Sequence, residues 1–389
     1  MPAGSRDPVD NWRGAARLAV EATRGATDLV QVMHRTIAGG APVVGGLIEP
    51  VVAMFSAPAY ATIRGVTACV GAALDAALAQ LADLPRDGAP APEREAVQAV
   101  LNGVLGDYLS ETGNPLALEM ALLDDRRRMA AAIPDARRVL VLVHGSSMAP
   151  HQWTRHGHDH GEALARDLGY TVAYLRYNSG LHISTNGRAF AELLEERLAT
   201  AEEIVVLGHS MGGLVARSAC RQAEIAGHVW RSKLKALVCL GSPHHGAPLE
   251  RVGSWVHALL GVSSYSAPLG RLARLRSAGV TDMRFGNVLD EHWRDCDRFE
   301  VGGDARTPLA LPAGVACYAI AATRSPGPDL RLRGDGVVPV ASALGEHPQP
   351  ALALDFRRTW VGFGMDHFDL LDHPRVYEAI HRWLASDLG

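Results

Sequence analysis

Glu203-Ile204-Val205-Val206-Leu207-Gly208-His209-Ser210-Met211-Gly212-Gly213-Leu214-Val215-Ala216-Arg217 is the stretch of this 389-residue chain whose reading decides its fold. Residues 203–207 have the character of a short buried strand, and those after Gly212 have helical composition. A G-x-S-x-G caught between a strand and a helix is a tight turn that exposes the serine Oγ at the carboxyl end of the strand. The glycines have a steric reason: a side chain at 208 or 212 would collide with a neighbouring strand or helix in so sharp a turn. With 40 glycines in the chain the bare pentapeptide could arise by chance, so the flanking strand and helix carry the inference. Ser210 is the expected nucleophile.

Outward from this turn, residues 136–389 alternate apolar strand runs with helical segments. Strands are expected at Val139–Val143, Tyr170–Tyr174, Ile204–Leu207, Ala236–Leu240, Val315–Ala321 and Ala353–Val361. Helices are expected at Glu162–Leu168, Gly187–Leu198, after the Ser210 turn, and at Pro374–Leu384. This alternation predicts the α/β class, with a mainly parallel sheet covered by helices on both faces. Residues 246–312 interrupt it with a Gly/Ser/Pro-punctuated insertion, expected to be a lid or pocket wall.

Before residue 135 strand signals are absent, and residues 1–135 read as an all-helical N-terminal region. Apolar residues recur at helical spacing over 12–37 and again from Ile48 through Val52, Phe55, Ile63, Val66, Val70 and Leu74 to Leu78. The proline-rich stretch 85–92 is a linker, and Glu93 opens a further helix to about Tyr108. The most apolar window, residues 65–82, contains Asp75 and is mostly alanine and glycine, a poor membrane span. The face starting at Ile48 must nevertheless be covered. Its expected partners, in order, are the chain's own catalytic domain as a cap, a second copy in a homodimer, and a membrane or hydrophobic-polymer surface docked peripherally.

A serine nucleophile needs a base to take its proton and an acid to orient that base. His367, in Gly364-Met365-Asp366-His367-Phe368-Asp369, follows the last strand and precedes the last helix, where the base belongs in this order of elements. His347, His373 and His381 read as surface histidines. Asp335, in Gly334-Asp335-Gly336-Val337-Val338-Pro339, is the expected acid, with an Asx turn as the structural alternative and Asp304 and Asp329 as weaker candidates. Two backbone N–H donors are needed for the oxyanion. Met211 supplies one, and the loop Val143-His144-Gly145-Ser146-Ser147 the other, through Ser146 or, failing it, Ser147. His144 is expected to shape that loop.

The segments VLVHGSS, GHSMGGLVAR, LGSPHHGAP, GDGVVPV and MDHFDLL, spread over residues 137–386, together resemble the α/β-hydrolase superfamily. Within it they are similar to the bacterial lipase and esterase branch, including GPI inositol-deacylase-like and triacylglycerol-lipase-like members. The resemblance implies hydrolysis of a small-molecule or lipid carboxylic ester through a Ser210 acyl-enzyme. Residues 176–184 (RYNSGLHIS) resemble a loop of this branch near the pocket. Ser146 stands where lipases often carry a bulky apolar residue, and residues 1–135 match no part of the lipase core. The alternatives are acyl transfer or thioester cleavage by the same triad, and a lipid- or granule-surface protein acting through its N-terminal helices.

The remaining signals narrow the class. A net charge of −4, from 38 basic and 42 acidic residues, gives no electrostatic reason for a nucleic-acid partner. Five scattered cysteines without a C-x-x-C pair are expected to be free thiols. The N-terminus lacks a basic then apolar leader pattern, so a cytoplasmic location is expected. His244-His245 and the alternating His156, His158 and His160 lack accompanying carboxylate or cysteine ligands, and Asp366 with Asp369 lacks further calcium ligands. No metal and no cofactor are expected.

Overall fold

Val139 to Val143 have no solvent-accessible surface at all, because the strand they form has a neighbour on each edge and helices over each face. In the computed structural model, which describes residues 92–128, 137–198, 200–247, 277–294, 306–328 and 334–388, this is the second strand of a seven-stranded sheet. The strands are β1 (Ala121–Leu123), β2 (Arg138–Val143), β3 (Thr171–Arg176), β4 (Glu203–His209), β5 (Leu234–Leu240), β6 (Ala316–Thr323) and β7 (Arg358–Phe363). Their order across the sheet is β1-β3-β2-β4-β5-β6-β7. Every pair is parallel except β1 with β3, in which Leu122 lies opposite Leu175. Parallel neighbours need crossovers over the sheet faces, which is why the central strands are continuous apolar runs.

The helices are α1 (Pro92–Glu111), α2 (His160–Leu168), α3 (Ile183–Leu198), α4 (Met211–Ala226), α5 (Trp230–Lys233), α6 (Ala278–Phe285), α7 (Val340–Ala343) and α8 (Pro374–Leu388). Asp159 caps α2 by accepting the Glu162 N–H at 3.0 Å, and the left-handed Gly169 ends it. α4 packs along α3, with Leu214, Val215 and Ala219 wholly buried against Phe190, Ala191 and Leu194 in one continuous core.

Three sequence expectations change. The sheet begins upstream of residue 135: β1 is only three residues long, too short to show a period of two, yet it pairs with β3. The last strand starts at Arg358, not Ala353. The Ala351–Phe356 alternation belongs to a turn in which Leu352 and Phe356 are buried and Leu354 donates its N–H to Gly345 O at 2.9 Å. α3 starts a turn before Gly187, at Ile183, and buries Ser184, which lies in the loop-like segment 176–184, together with Asn186. Of the 246–312 insertion, α6 and its flanks are described. The rest of it, and the N-terminal helices expected before residue 91, lie outside the described residues. Among the described residues no helix is long and apolar enough to cross a membrane.

Candidate active site

β4 ends at His209 and α4 begins at Met211, so one residue makes the turn. Ser210 sits at φ 53°, ψ −122°, a conformation that costs an L-residue about 1–3 kcal/mol. Two bonds hold it: its N–H donates to Leu240 O at 2.8 Å at the end of β5, and its C=O accepts from the Gly213 N–H at 3.2 Å. The glycines are there for close approach. A Cβ on Gly208 would stand 2.5 Å from Gly213 N, and one on Gly212 would stand 2.1 Å from Val143 O of β2.

The connection after β6 brings Asp335 to His367, which follows the end of β7. His367 Nδ1 and Asp335 Oδ2 are 2.6 Å apart, and both residues are 1% exposed. A carboxylate only accepts, so Nδ1 carries a proton, which makes Nε2 the lone-pair nitrogen of the neutral ring. The other oxygen, Oδ1, accepts the N–H groups of Val337 and Val338, each at 2.8 Å. The Asx turn and the histidine contact therefore coexist, one on each oxygen. Gly334 and Gly336 take φ of 88° and 100°, the sharp turn expected on both sides of the carboxylate.

His367 is also fixed from below. His209 donates Nε2–H to His367 O at 3.1 Å, and the two rings lie 4.7 Å apart. Burial, and then the neighbouring His367, hold the His209 imidazole well below its ordinary pKa, so it stays neutral. A Cβ on Gly241 would stand 3.1 Å from His367 Cε1. The imidazole thus lies over the backbone that leaves β5, the strand end to which Ser210 is tied. Ser210 follows β4, Asp335 lies in the connection after β6, and His367 follows β7, with His367 and Asp335 in direct contact.

Across the serine lies the loop after β2. A Cβ on Gly145 would stand 3.2 Å from Ser210 Cβ, so this loop runs against the nucleophile turn. Met211 opens α4, and its N–H has no acceptor within the helix. Of the three N–H groups after Gly145, that of Ser147 is given to Ser179 Oγ at 2.8 Å and that of Met148 to Gly145 O at 3.4 Å. Only the Ser146 N–H has no acceptor among the described residues. His144 donates Nδ1–H to Gly145 O at 2.7 Å, and its ring stacks on Tyr177 at 4.4 Å. The Tyr177 hydroxyl donates to His144 O at 2.8 Å. Burial lowers the His144 pKa to about 4, which suits a neutral ring that shapes the loop.

A parallel sheet that sets a serine turn after β4, an aspartate after β6 and a histidine after β7 decides the architecture. The chain has the α/β-hydrolase fold. The PGAP1-like alpha/beta domain model matches residues 137–267. No curated protein matches the sequence significantly. Among solved structures, the chain is similar to the mature Bacillus licheniformis lipase BlEst2, at 15% identity, 68% of this chain, 98% of that one and a TM-score of 0.42. It is also similar to the Pyrococcus furiosus esterase Pf2001, at 13% identity, 65% and 84% coverage and a TM-score of 0.38. A lipase-esterase related protein from Clostridium acetobutylicum stands at 12% identity, 69% and 99% coverage and a TM-score of 0.37. At such identities the substrates of those proteins do not transfer to this chain.

The other polar candidates are engaged locally. Asp304 and Asp329 lie outside the described residues. His244 Nδ1 meets the buried Arg217 guanidinium at 3.2 Å, and His245 Nδ1 meets Arg306 at 3.1 Å. His158 donates Nε2–H to His160 Nδ1 at 2.8 Å, since His160 Nε2–H goes to Leu370 O, and Asp159 caps α2. Asp366 Oδ1 accepts the N–H groups of Phe368 and Asp369, closing its own turn. Among the described residues no three His, Cys, Asp or Glu side chains converge as a metal site. Cys220, Cys239 and Cys317 are buried free thiols, each pushed up to about 12 by burial. Sequence reasoning missed the contacts of His209 and Ser179. Both stand inside quoted motifs, but only their three-dimensional partners reveal what they touch.

Proposed function

We propose that this protein is a serine hydrolase that cleaves a carboxylic ester of a small molecule or lipid through an acyl-enzyme. The observation that carries the reading is the buried His367–Asp335 pair at 2.6 Å, set beside a serine held at positive φ. A serine turn alone would be a structural curiosity, since the hydroxyl is not nucleophilic at neutral pH without a base. A buried imidazole whose Nδ1–H is locked onto a carboxylate presents Nε2 as that base.

In the first half-reaction Ser210 Oγ attacks the ester carbonyl carbon while His367 Nε2 takes its proton. The negative charge that develops on the carbonyl oxygen is stabilised by the N–H groups of Met211 and Ser146. The Asp335 carboxylate stabilises the imidazolium, with Oδ1 held by Val337 and Val338. The imidazolium returns the proton to the departing alkoxide, leaving an acyl group on Ser210 and a free alcohol. Water, deprotonated by the same Nε2, attacks the acyl carbonyl, and collapse of the second tetrahedral intermediate releases the acid and restores Ser210. These steps draw only on side chains and backbone amides of this chain.

Turnover of p-nitrophenyl esters of graded chain length by the purified full-length protein tests the reading and locates the preferred acyl length. Release of p-nitrophenol that disappears in Ser210→Ala is the expected result. A folded wild-type protein that turns over none of the esters contradicts it.

A further inference from the structure

The RYNSG segment after β3 has no role in the proton transfers, yet it is buried and heavily bonded. Asn178 donates Nδ2–H to Gly106 O of α1 at 2.8 Å, accepts the Gly180 N–H on Oδ1 at 3.0 Å, and accepts on its carbonyl from Asn186 Nδ2 at 2.9 Å. This ties the segment to α1 on one side and α3 on the other. Ser179, 1% exposed, then accepts the Ser147 N–H on Oγ at 2.8 Å. Ser147 is one of four described non-glycine residues at positive φ, at 57°. It needs outside support, because that conformation is unfavourable for serine.

The support comes from two elements. α1 presses Gly103 onto Ser147, so closely that a Cβ at 103 would stand 1.9 Å from Ser147 Oγ and 2.8 Å from Ser147 Cα. α1 is itself clamped on its far side, where Ser277 Oγ donates to Gly103 O at 2.6 Å and Asp107 accepts the Ala278 N–H at 2.9 Å. Ser147 is thus trapped between a glycine of α1 and the Ser179 hydroxyl. The residue before it is Ser146, whose N–H points to no acceptor among the described residues.

We propose that Ser179, backed by Gly103 of α1, is a positioning residue of the oxyanion hole. Its hydroxyl takes up the Ser147 N–H, fixes the left-handed turn at Ser147, and so aims the Ser146 N–H at the oxygen of the tetrahedral intermediate. This rests on the ester-hydrolase reading and adds to it. One of the two N–H groups first open as second donor is committed elsewhere, and the element that commits it depends on a helix upstream of the sheet. Ser179 touches no reacting atom. Its effect passes through backbone geometry, and a displacement of about 1 Å in such a donor can cost on the order of 100-fold in rate.

The test compares full-length wild type with Ser179→Ala, Ser179→Thr and Gly103→Ala. Rates are expressed per Ser210 titrated to completion with a fluorophosphonate, so that unfolded protein does not count. Ser179→Ala is expected to lower kcat by about 10- to 100-fold with KM nearly unchanged. Its affinity for an aryl trifluoromethyl ketone, which forms an oxyanion on Ser210, should fall in parallel. Ser179→Thr keeps the acceptor and should recover most of both. Gly103→Ala, acting from the other side of Ser147, should show the same split and serves if Ser179→Ala folds poorly. Wild-type kcat and ketone affinity in Ser179→Ala or Gly103→Ala overturn the proposal alone. A wild-type protein that hydrolyses no ester overturns the ester-hydrolase reading, and the proposal with it.

Discussion

His367 and Asp335 stand on loops that leave the ends of adjacent strands, whereas Ser146 stands on a loop held largely from outside the sheet. β6 and β7 pair from Tyr318 with Arg358 to Thr323 with Phe363, and this ladder sets the two loops side by side. Met365 N–H donates to Thr323 O at 3.0 Å, so the ladder continues almost to His367. The 144–148 loop leaves β2 and meets Ser179 from the β3–α3 connection, Gly103 from α1 and the Tyr177 ring. The proposed acid–base half is therefore set mainly by the sheet. The proposed oxyanion half is set by helices and loops packed on it, and is the half expected to yield first to distant changes.

The largest effects should fall on the sheet-held half. Ser210→Ala should lower turnover on the order of 10⁴-fold or more, and His367→Ala nearly as much, with the fold intact. Asp335→Asn should cost on the order of 10⁴-fold in kcat with little change in KM, because an amide at 335 forces the wrong tautomer on His367. If Asp335→Asn is silent and a change at Asp304 or Asp329 is not, the acid has been misassigned. The Ser179 variants come next, about two orders of magnitude milder. An oxyanion half as robust as the acid–base half would erase that contrast.

Truncation separates the two halves differently. Removing residues 1–111 takes α1 and its contacts with Ser147 and Asn178, and should depress kcat while Ser210 still reacts slowly with a fluorophosphonate. Removing residues 1–90 spares α1. The apolar spacing from Ile48 to Leu78 predicts that this shorter truncation makes the protein prone to associate and changes its chain-length preference. A soluble monomer with unchanged preference, measured by light scattering and the ester series, would show those residues to be an independent module.

The smallest effect is on stability against pH. Burial holds His144 at about 4 and His160 at about 3, below the ordinary 6.5, and holds His209 well below it. Above about pH 6.5 these rings are neutral in both folded and unfolded chain, and no linkage arises. As pH falls below that value the unfolded chain takes up protons that the fold refuses, so stability drops until the folded pKa is reached. Tm should fall steadily between about pH 6.5 and 4, and His160→Gln should make that slope shallower throughout. A Tm that is level over this range would mean these rings are not buried neutral.

Much of the proposed acid–base half was legible in the sequence, because each residue lies in a local motif that follows a strand. Gly208 and Gly212 announce a close approach that the Val143 carbonyl makes concrete, and the glycines around Asp335 announce a turn. The oxyanion half was legible only in outline. Sequence ranks Ser146 ahead of Ser147 but shows no contact that separates them, whereas in the fold the Ser147 N–H is taken up by a hydroxyl 32 residues away. Nothing in the spacing of α1 says that Gly103 will lie on Ser147. β1 escaped notice for a related reason: three residues show no periodicity, and its partner Tyr174–Arg176 lies some fifty positions downstream.

The central claim is that Ser210 is a nucleophile activated by His367. The most direct measurement is mass-spectrometric mapping of the wild-type and His367→Ala proteins after timed exposure to a fluorophosphonate. One adduct, on Ser210, forming fast in the wild type and slower by orders of magnitude in His367→Ala, is the result expected. An adduct on another serine, or equal labelling rates at Ser210 in the two folded proteins, would contradict the account.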